Sequence, residues 1–175
     1  MAILGVDDFK AKLIGGGARA NLFKATLGFP SFVTGDVELA SFMVKATSLP
    51  GSTIAPIPIA FRGRQLQVAG DRTFEPWSVT IINDTDFSLW NSFEAWMNGI
   101  NEHNNNTGMT NPSDYMADMA VAQLDKDGSE IKNFNIRGCF PTALSAIEVG
   151  YDNADTIEEF TVEFQLQYWE SDQTS

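Results

Sequence analysis

The clearest hydrophobic pattern lies near the C-terminal end of the chain. From Ile157 to Trp169, Phe160, Val162, Phe164, Leu166 and Tyr168 fall on one side of an extended chain, and Thr161, Glu163, Gln165 and Gln167 on the other. This period of two predicts one strand with a buried face and a wet face, the mark of an antiparallel sheet. Weaker alternation predicts further strands. Phe23, Ala25 and Leu27 alternate with Lys24 and Thr26, and Phe42, Val44 and Ala46 with Met43, Lys45 and Thr47. In 74–82, Trp77, Val79 and Ile81 oppose Ser78 and Thr80. Met116–Leu124 and Ile131–Arg137 flank Asp125-Lys126-Asp127-Gly128, and Asp-Gly between two such runs signals a hairpin. Ala143–Tyr151 reads as one more strand.

Two segments have helical spacing. Phe87, Trp90, Phe93 and Met97, widened by Leu89, Trp96 and Ile100, predict the main helix over about 86–99, with Asp84, Thr85 and Asp86 as capping candidates. Val6, Phe9, Leu13 and Ile14 predict a short N-terminal helix, closed by a Gly15-Gly16-Gly17 hinge within 1–18. Such a helix is too short to be stable alone and needs a surface to dock on.

The segment 49–64 fits neither pattern. Pro50, Pro56 and Pro58 cannot donate to a ladder, so this is no central strand. It reads as an extended hairpin arm leaving the body, with Ile54, Ile57, Ile59 and Phe61 exposed in an isolated subunit. Exposed apolar surface of this kind marks a contact site. Asn101–Pro112 reads as a polar surface loop. No fixed-period repeat and no linker divide the chain, so one domain is expected over 1–175. The absence of regular strand–helix alternation argues against a doubly wound parallel fold.

Charge narrows the function. Eleven basic residues face 23 acidic ones, for a net charge of −12, and no Lys or Arg occurs in 73–124 or after Arg137. Such a surface repels phosphate backbones, so tight nucleic-acid binding is disfavoured. Cys139 is the only cysteine, which rules out an intrachain disulfide. No basic region or long apolar run follows Met1–Leu4, so neither a secretory signal nor membrane insertion is expected.

Candidate chemistry is sparse. His103 is the only histidine and sits in the Asn-rich loop, where a solvated polar role is expected. Cys139 has no histidine near it in sequence and reads as a small buried residue. Asp125-x-Asp127-Gly128-x-Glu130 lacks the ligand set of a calcium loop, and Gly15-Gly16-Gly17 lacks the Lys-Ser/Thr of a phosphate loop. No catalytic, cofactor-binding or metal-ligating residues are assigned. The expectation is a non-enzymatic protein that works by contact.

Five segments, in order along nearly the whole chain, resemble a known family. They are Arg19-Ala20-Asn21-Leu22-Phe23, Lys45-Ala46-Thr47-Ser48-Leu49-Pro50-Gly51, Val68 to Phe74 continuing through Trp77-Ser78-Val79-Thr80 to Asn83-Asp84, Gly138-Cys139-Phe140-Pro141-Thr142, and Gln167-Tyr168-Trp169-Glu170. Together they resemble the major tail tube proteins of contractile-tailed (myovirus) bacteriophages. Phe29–Leu39 and the tail from Asp172 depart from the shortest members.

The resemblance implies a mainly β, antiparallel β-sandwich or barrel-like tail tube fold. It implies hexameric rings that stack into a hollow tube, with strands of ring neighbours joined into an inner barrel. The implied partners are other copies of the chain, a sheath protein, baseplate and tail terminator proteins, a tape measure protein in the lumen, and DNA in transit. The implied location is the inner tube of the virion tail, after assembly in the host bacterial cytoplasm. On this reading Val6, Phe9, Leu13, Ile54, Ile57, Ile59 and Phe61 contact the next ring, and Glu163, Gln165 and Gln167 face the lumen. Three alternatives stay open. One is the tube of a headless contractile particle or type VI secretion system. The others are a monomeric ligand-binding β-sandwich and a hydrolase with an unrecognised site.

Overall fold

The structure is a computed structural model that describes residues 5–174. The apolar opening Met1–Leu4 lies outside the described residues. Helix α1 (Val6–Lys12) and a 3-10 turn (Ile14–Gly16) precede strand β1 (Phe23–Thr26), helix α2 (Val37–Met43) and strand β2 (Val44–Thr47). Strands β3 (Ser52–Phe61), β4 (Arg64–Phe74) and β5 (Trp77–Ile82) follow, then helices α3 (Ser88–Ile100) and α4 (Pro112–Tyr115). The chain closes with β6 (Ala117–Leu124), β7 (Glu130–Leu144), β8 (Glu159–Gln165) and β9 (Tyr168–Ser171).

Seven strands form the body in the order β1-β6-β7-β8-β5-β2, with β9 also paired to β7 and every pairing antiparallel. The 15-residue β7 serves two layers. Its first half lies between β6 and β9, and its second half pairs with β8. The change of layer occurs at Gly138, whose φ of 63° favours a residue without Cβ. Asp118 holds the bend, accepting from the Gly138 N–H at 3.0 Å and from Arg137 at 2.9 Å. That carboxylate, with Glu170 behind it, pushes the Arg137 pKa further up.

The inner faces meet in one core. Met119, Val121, Phe134 and Ile136 from the first layer pack with Trp77, Val79, Ile81, Phe160, Val162 and Phe164 from the second. Helix α3 lies against this core through Leu89, Phe93 and Trp96, all fully buried. Phe93 sits in an aromatic cluster, with its ring centroid 5.3 Å from Phe29, 6.1 Å from Phe160 and 6.0 Å from Phe164. Such pairs add about 0.5–1.5 kcal/mol each beyond area burial. The Trp96 indole N–H donates to the Tyr115 carbonyl at 2.7 Å, so its polar atom is satisfied inside the core.

The mainly β, antiparallel expectation, the main helix and the short N-terminal helix are all present. Several local readings need correction. Phe42 belongs to helix α2, not to a strand, and is exposed. Asp36 caps α2 by accepting from the Leu39 N–H at 3.0 Å, a local signal inside the long connection Phe29–Leu39. The face of α3 centres on Leu89, Phe93 and Trp96, whereas Phe87 stands outside the helix in the left-handed region and is exposed. Asp84 supplies the cap at a distance, accepting from the Ser88 N–H at 3.0 Å and from the Ser88 hydroxyl. The span Ile157–Trp169 is two strands, broken at Leu166 and Gln167, so the parity flips and Tyr168 is exposed. Ala143–Tyr151 is the end of β7 followed by a loop.

Candidate functional site

The arm is a two-stranded ribbon, β3 paired with β4, separate from the main sheet. It is longer than 49–64: its second leg runs to Phe74. Phe61 pairs with Arg64 across Arg62 and Gly63, whose φ values of 47° and 80° are both positive. Two positive central residues make the tight hairpin turn whose twist suits two strands, and Gly63 adopts it without strain. Pro56 and Pro58 are tolerated because no third strand needs their missing N–H groups.

Register sorts the arm into two unlike faces. Ile57 pairs with Val68, and Ile59 with Leu66, so these four share a side with Phe61. Pro56 opposite Ala69, Pro58 opposite Gln67 and Ala60 opposite Gln65 form the other side. All five residues of the apolar face are exposed, from 41% at Val68 to 68% at Phe61. Nothing within the described residues covers them. Ile54 pairs with Arg72 beyond a break in the register between Ile54 and Pro56, so it stands apart from the row formed by Ile57, Ile59 and Phe61. Of the four residues singled out from sequence, three therefore act together and one does not. Leu66 and Val68 went unrecognised, although Gln65-Leu66-Gln67-Val68 alternates with a period of two.

Helix α1 is in the same condition. It has no buried residue, and Val6, Phe9 and Leu13 are exposed along its length. Asp8 closes its first turn by accepting from the Gly5 N–H at 3.1 Å, but one short helix of seven residues gains little from that.

The wet face of β8 is the third element. Glu163 is exposed and stands opposite Ser78, and Gln165 follows on the same side. The Thr80 and Thr161 hydroxyls bond each other at 3.1 Å between these strands. The result is a polar sheet face on which Glu163 stands among Ser78, Thr80, Thr161 and Gln165, while Glu159 at the start of the same face is paired with Lys45. Gln167 lies beyond the end of β8, where its N–H donates to the Arg137 carbonyl at 3.0 Å, so it does not extend that row.

His103 is a loop residue bonded to Asn98 at 2.8 Å, and Cys139 is fully buried in β7. Burial and the nearby Asp118 carboxylate push the Cys139 thiol up to about 12, away from nucleophilic reactivity. Among the described residues no group of three or more His, Cys, Asp or Glu side chains is placed to hold a metal ion. No described helix is long and apolar enough to cross a membrane.

The profile of the phage tail tube protein family matches residues 15–172. The chain is 32% identical to the tail tube protein gp19 of Enterobacteria phage T4, over 94% of this chain and 99% of that protein. It is 28% identical to the tail tube protein of Serratia phage KSP90, over 95% of both. Its fold also matches a chain in the cryo-EM sheath–tube complex of an extracellular contractile injection system, PVC, in the extended state. The TM-score there is 0.65 at 11% identity, covering 92% of this chain and 95% of that one. An open antiparallel sandwich, a ribbon with one uncovered apolar face and these similarities along the whole length lead to one assignment: the chain belongs to the phage tail tube protein family.

Proposed function

We propose that this chain polymerises as stacked hexameric rings into the hollow inner tube of a contractile phage tail, and that the β3–β4 arm and helix α1 make the contacts between rings. The observation that carries the proposal is the arm itself. Five apolar side chains share one face of a ribbon whose length beyond its root at Phe74 is uncovered by the described residues of its own subunit. Leaving that face in water costs about 25 cal/mol per Å² of apolar surface, which covering by another copy recovers. A contact made head to tail, with unlike surfaces, does not close on itself and propagates as a filament. In this assembly Val6, Phe9, Leu13, Ile57, Ile59 and Phe61 become buried, and Ile54 sits at the margin of the contact.

The same assembly gives the polar sheet face its role. Glu163 and Gln165 line the lumen, with Gln167 at its margin, and a net charge of −12 per copy keeps passing DNA from adhering. A sheath protein surrounds the tube, baseplate and terminator proteins close its ends, and a tape measure protein occupies the lumen during assembly. The chain acts as a conduit without chemistry of its own.

The test is negative-stain imaging of the purified chain beside a variant in which Thr53–Thr73 is replaced by two glycines. The intact chain should form hollow tubes. The variant should stay folded by circular dichroism and form none. Tubes of normal length from the variant refute the role of the arm. A purely monomeric intact chain under all assembly conditions refutes the tube reading.

A further inference from the structure

The arm and one particular loop lie at opposite ends of the second layer. Both legs of the arm leave beside Trp77, the first residue of β5, because β2 ends opposite Val79 and β4 ends three residues before Trp77. Trp77 pairs with Phe164, while Ile82 at the far end of β5 pairs with Glu159. The loop 145–158 leaves the sheet opposite Thr161, at the level of Thr80, and re-enters it at Glu159 at that far end, five residue steps from Trp77 or about 16 Å at ~3.3 Å per residue.

The two surfaces are complementary. The arm offers its apolar face, and its tip bears Arg62 and Arg64, neither of which has a carboxylate within salt-bridge reach among the described residues. Arg62 lies 5.3 Å from the centre of the Phe61 ring, so charge and apolar surface meet at one point. The loop offers Val149 and Ile157, exposed by 80% and 72%, at a concavity of about 410 Å³, and Tyr151, fully exposed, beyond its lining. Its charged residues are Glu148, Asp152, Asp155 and Glu158, with no Lys or Arg. In the body Lys45, Lys132 and Arg137 have carboxylate partners within their own subunit, whereas the arm tip sets two guanidinium groups, unpaired among the described residues, two residues apart beside exposed apolar surface. The groove beside α2 is a poorer match, because Lys24 and Lys45 face it with Glu38 as its one carboxylate, whereas Lys45 on the loop side is already paired with Glu159 and the loop keeps four carboxylates.

We infer that the arm of one copy docks on the 145–158 loop of a second copy, its apolar face against Val149, Tyr151 and Ile157 and its Arg62–Arg64 tip among the loop carboxylates. The inference rests on the stacking role proposed for the arm, and names the surface that receives it. Arm at one end and receptor at the other repeat without closing, as a filament needs.

Cross-linking tests this directly, since buried Cys139 stays silent. Full-length chains carrying Phe61→Cys are co-assembled with chains carrying Val149→Cys, Tyr151→Cys or Ile157→Cys, and the tubes are treated with a short bismaleimide. Cross-linked dimers are expected from the mixed tubes for at least one loop position, and not from either variant alone. Normal tubes without any arm–loop cross-link, or cross-linking of Phe61→Cys to Phe42→Cys in the α2 groove instead, overturn the inference. Charge reversal reads the same contact independently. R62E/R64E and E148K/D155K should each block assembly, and mixing the two reversed surfaces in one chain should restore it. Unchanged assembly by E148K/D155K alone also overturns the inference. The stacking role itself fails separately, if the arm-deleted chain still forms tubes.

Discussion

The Trp169 indole N–H donates to the Gly51 carbonyl oxygen at 3.1 Å, bridging the C-terminal strand to the root of the arm. The same ring meets Phe74 edge-on at 6.2 Å and Phe134 at 5.3 Å. One side chain thus touches both legs of the arm and the first layer of the sandwich. Trp77 adds a second bolt by donating to the Ser48 carbonyl at 2.7 Å. The arm is an extended ribbon exposed on both faces, so these contacts at its root set its direction.

Trp169→Phe should separate direction from stability. The phenyl ring keeps apolar contact with Phe74 and Phe134 but loses the bond to Gly51, a net loss of about 1 kcal/mol. The body should unfold at nearly its usual denaturant midpoint. Amide exchange in β3 should rise relative to β8, and assembly should slow. Equal acceleration of exchange in both strands would sink the idea of a local bolt.

The two faces of the arm should respond differently to the same chemistry. Ile59→Asn places an amide on the apolar face, and in a covered contact an unpaired amide costs roughly 1–3 kcal/mol per site. Repeated along a filament, that should abolish visible tubes. Ala60→Asn places the same group on the proline face beside Gln65 and should leave tube length nearly unchanged. Sedimentation of assembled material compares the two, and an equal effect of both substitutions refutes a one-sided contact.

Much of this was legible in the residues, and the failures have physical causes. The buried row Phe160, Val162, Phe164 and Leu166 was readable because period-two alternation survives wherever one face is dry. The arm was readable from its prolines, which exclude a central strand. The break after Gln165 was not, because a change of register leaves hydrophobicity intact while reversing the side that faces in. Helix α2 escaped because its seven residues carry one buried side chain, Ala40, and therefore no stripe. The apolar face of the arm was half visible. Leu66 and Val68 alternate correctly, but only the pairing of β4 with β3 puts them beside Ile59 and Ile57. The loop 145–158 has strand-like alternation at Ile147, Val149 and Tyr151, yet the β7–β8 ladder ends at Leu144 opposite Val162 and leaves those residues without a partner strand.

Cys139 predicts a pH dependence. Burial holds its thiol neutral up to about 12 in the folded chain, against roughly 8.5 in an unfolded one. Between those values the unfolded state has lost the proton and the native state keeps it, so the unfolded form binds fewer protons and stability falls as pH rises. The stabilising contribution is complete below about pH 8.5 and declines by ~1.4 kcal/mol per unit above it. Urea midpoints of the unassembled chain at pH 8, 9 and 10 measure the slope, and Cys139→Ala should flatten it. A thiol that alkylates rapidly at pH 8 without unfolding contradicts this placement.

Glu163 supplies the sharpest check on which sheet face looks inward. Its side chain projects from the polar face shared with Ser78, Thr80 and Gln165, opposite the core. If that face lines the lumen, a cysteine there is reachable by small molecules diffusing along the channel but shielded from anything of protein size. Tubes carrying Glu163→Cys should therefore label fully with a small maleimide and hardly at all with a maleimide attached to a bulky protein. A cysteine on the outer wall would take both reagents, and one in a subunit contact would take neither. Either of those two patterns removes Glu163 from the channel wall, and with it this sheet face as the lining past which DNA would travel.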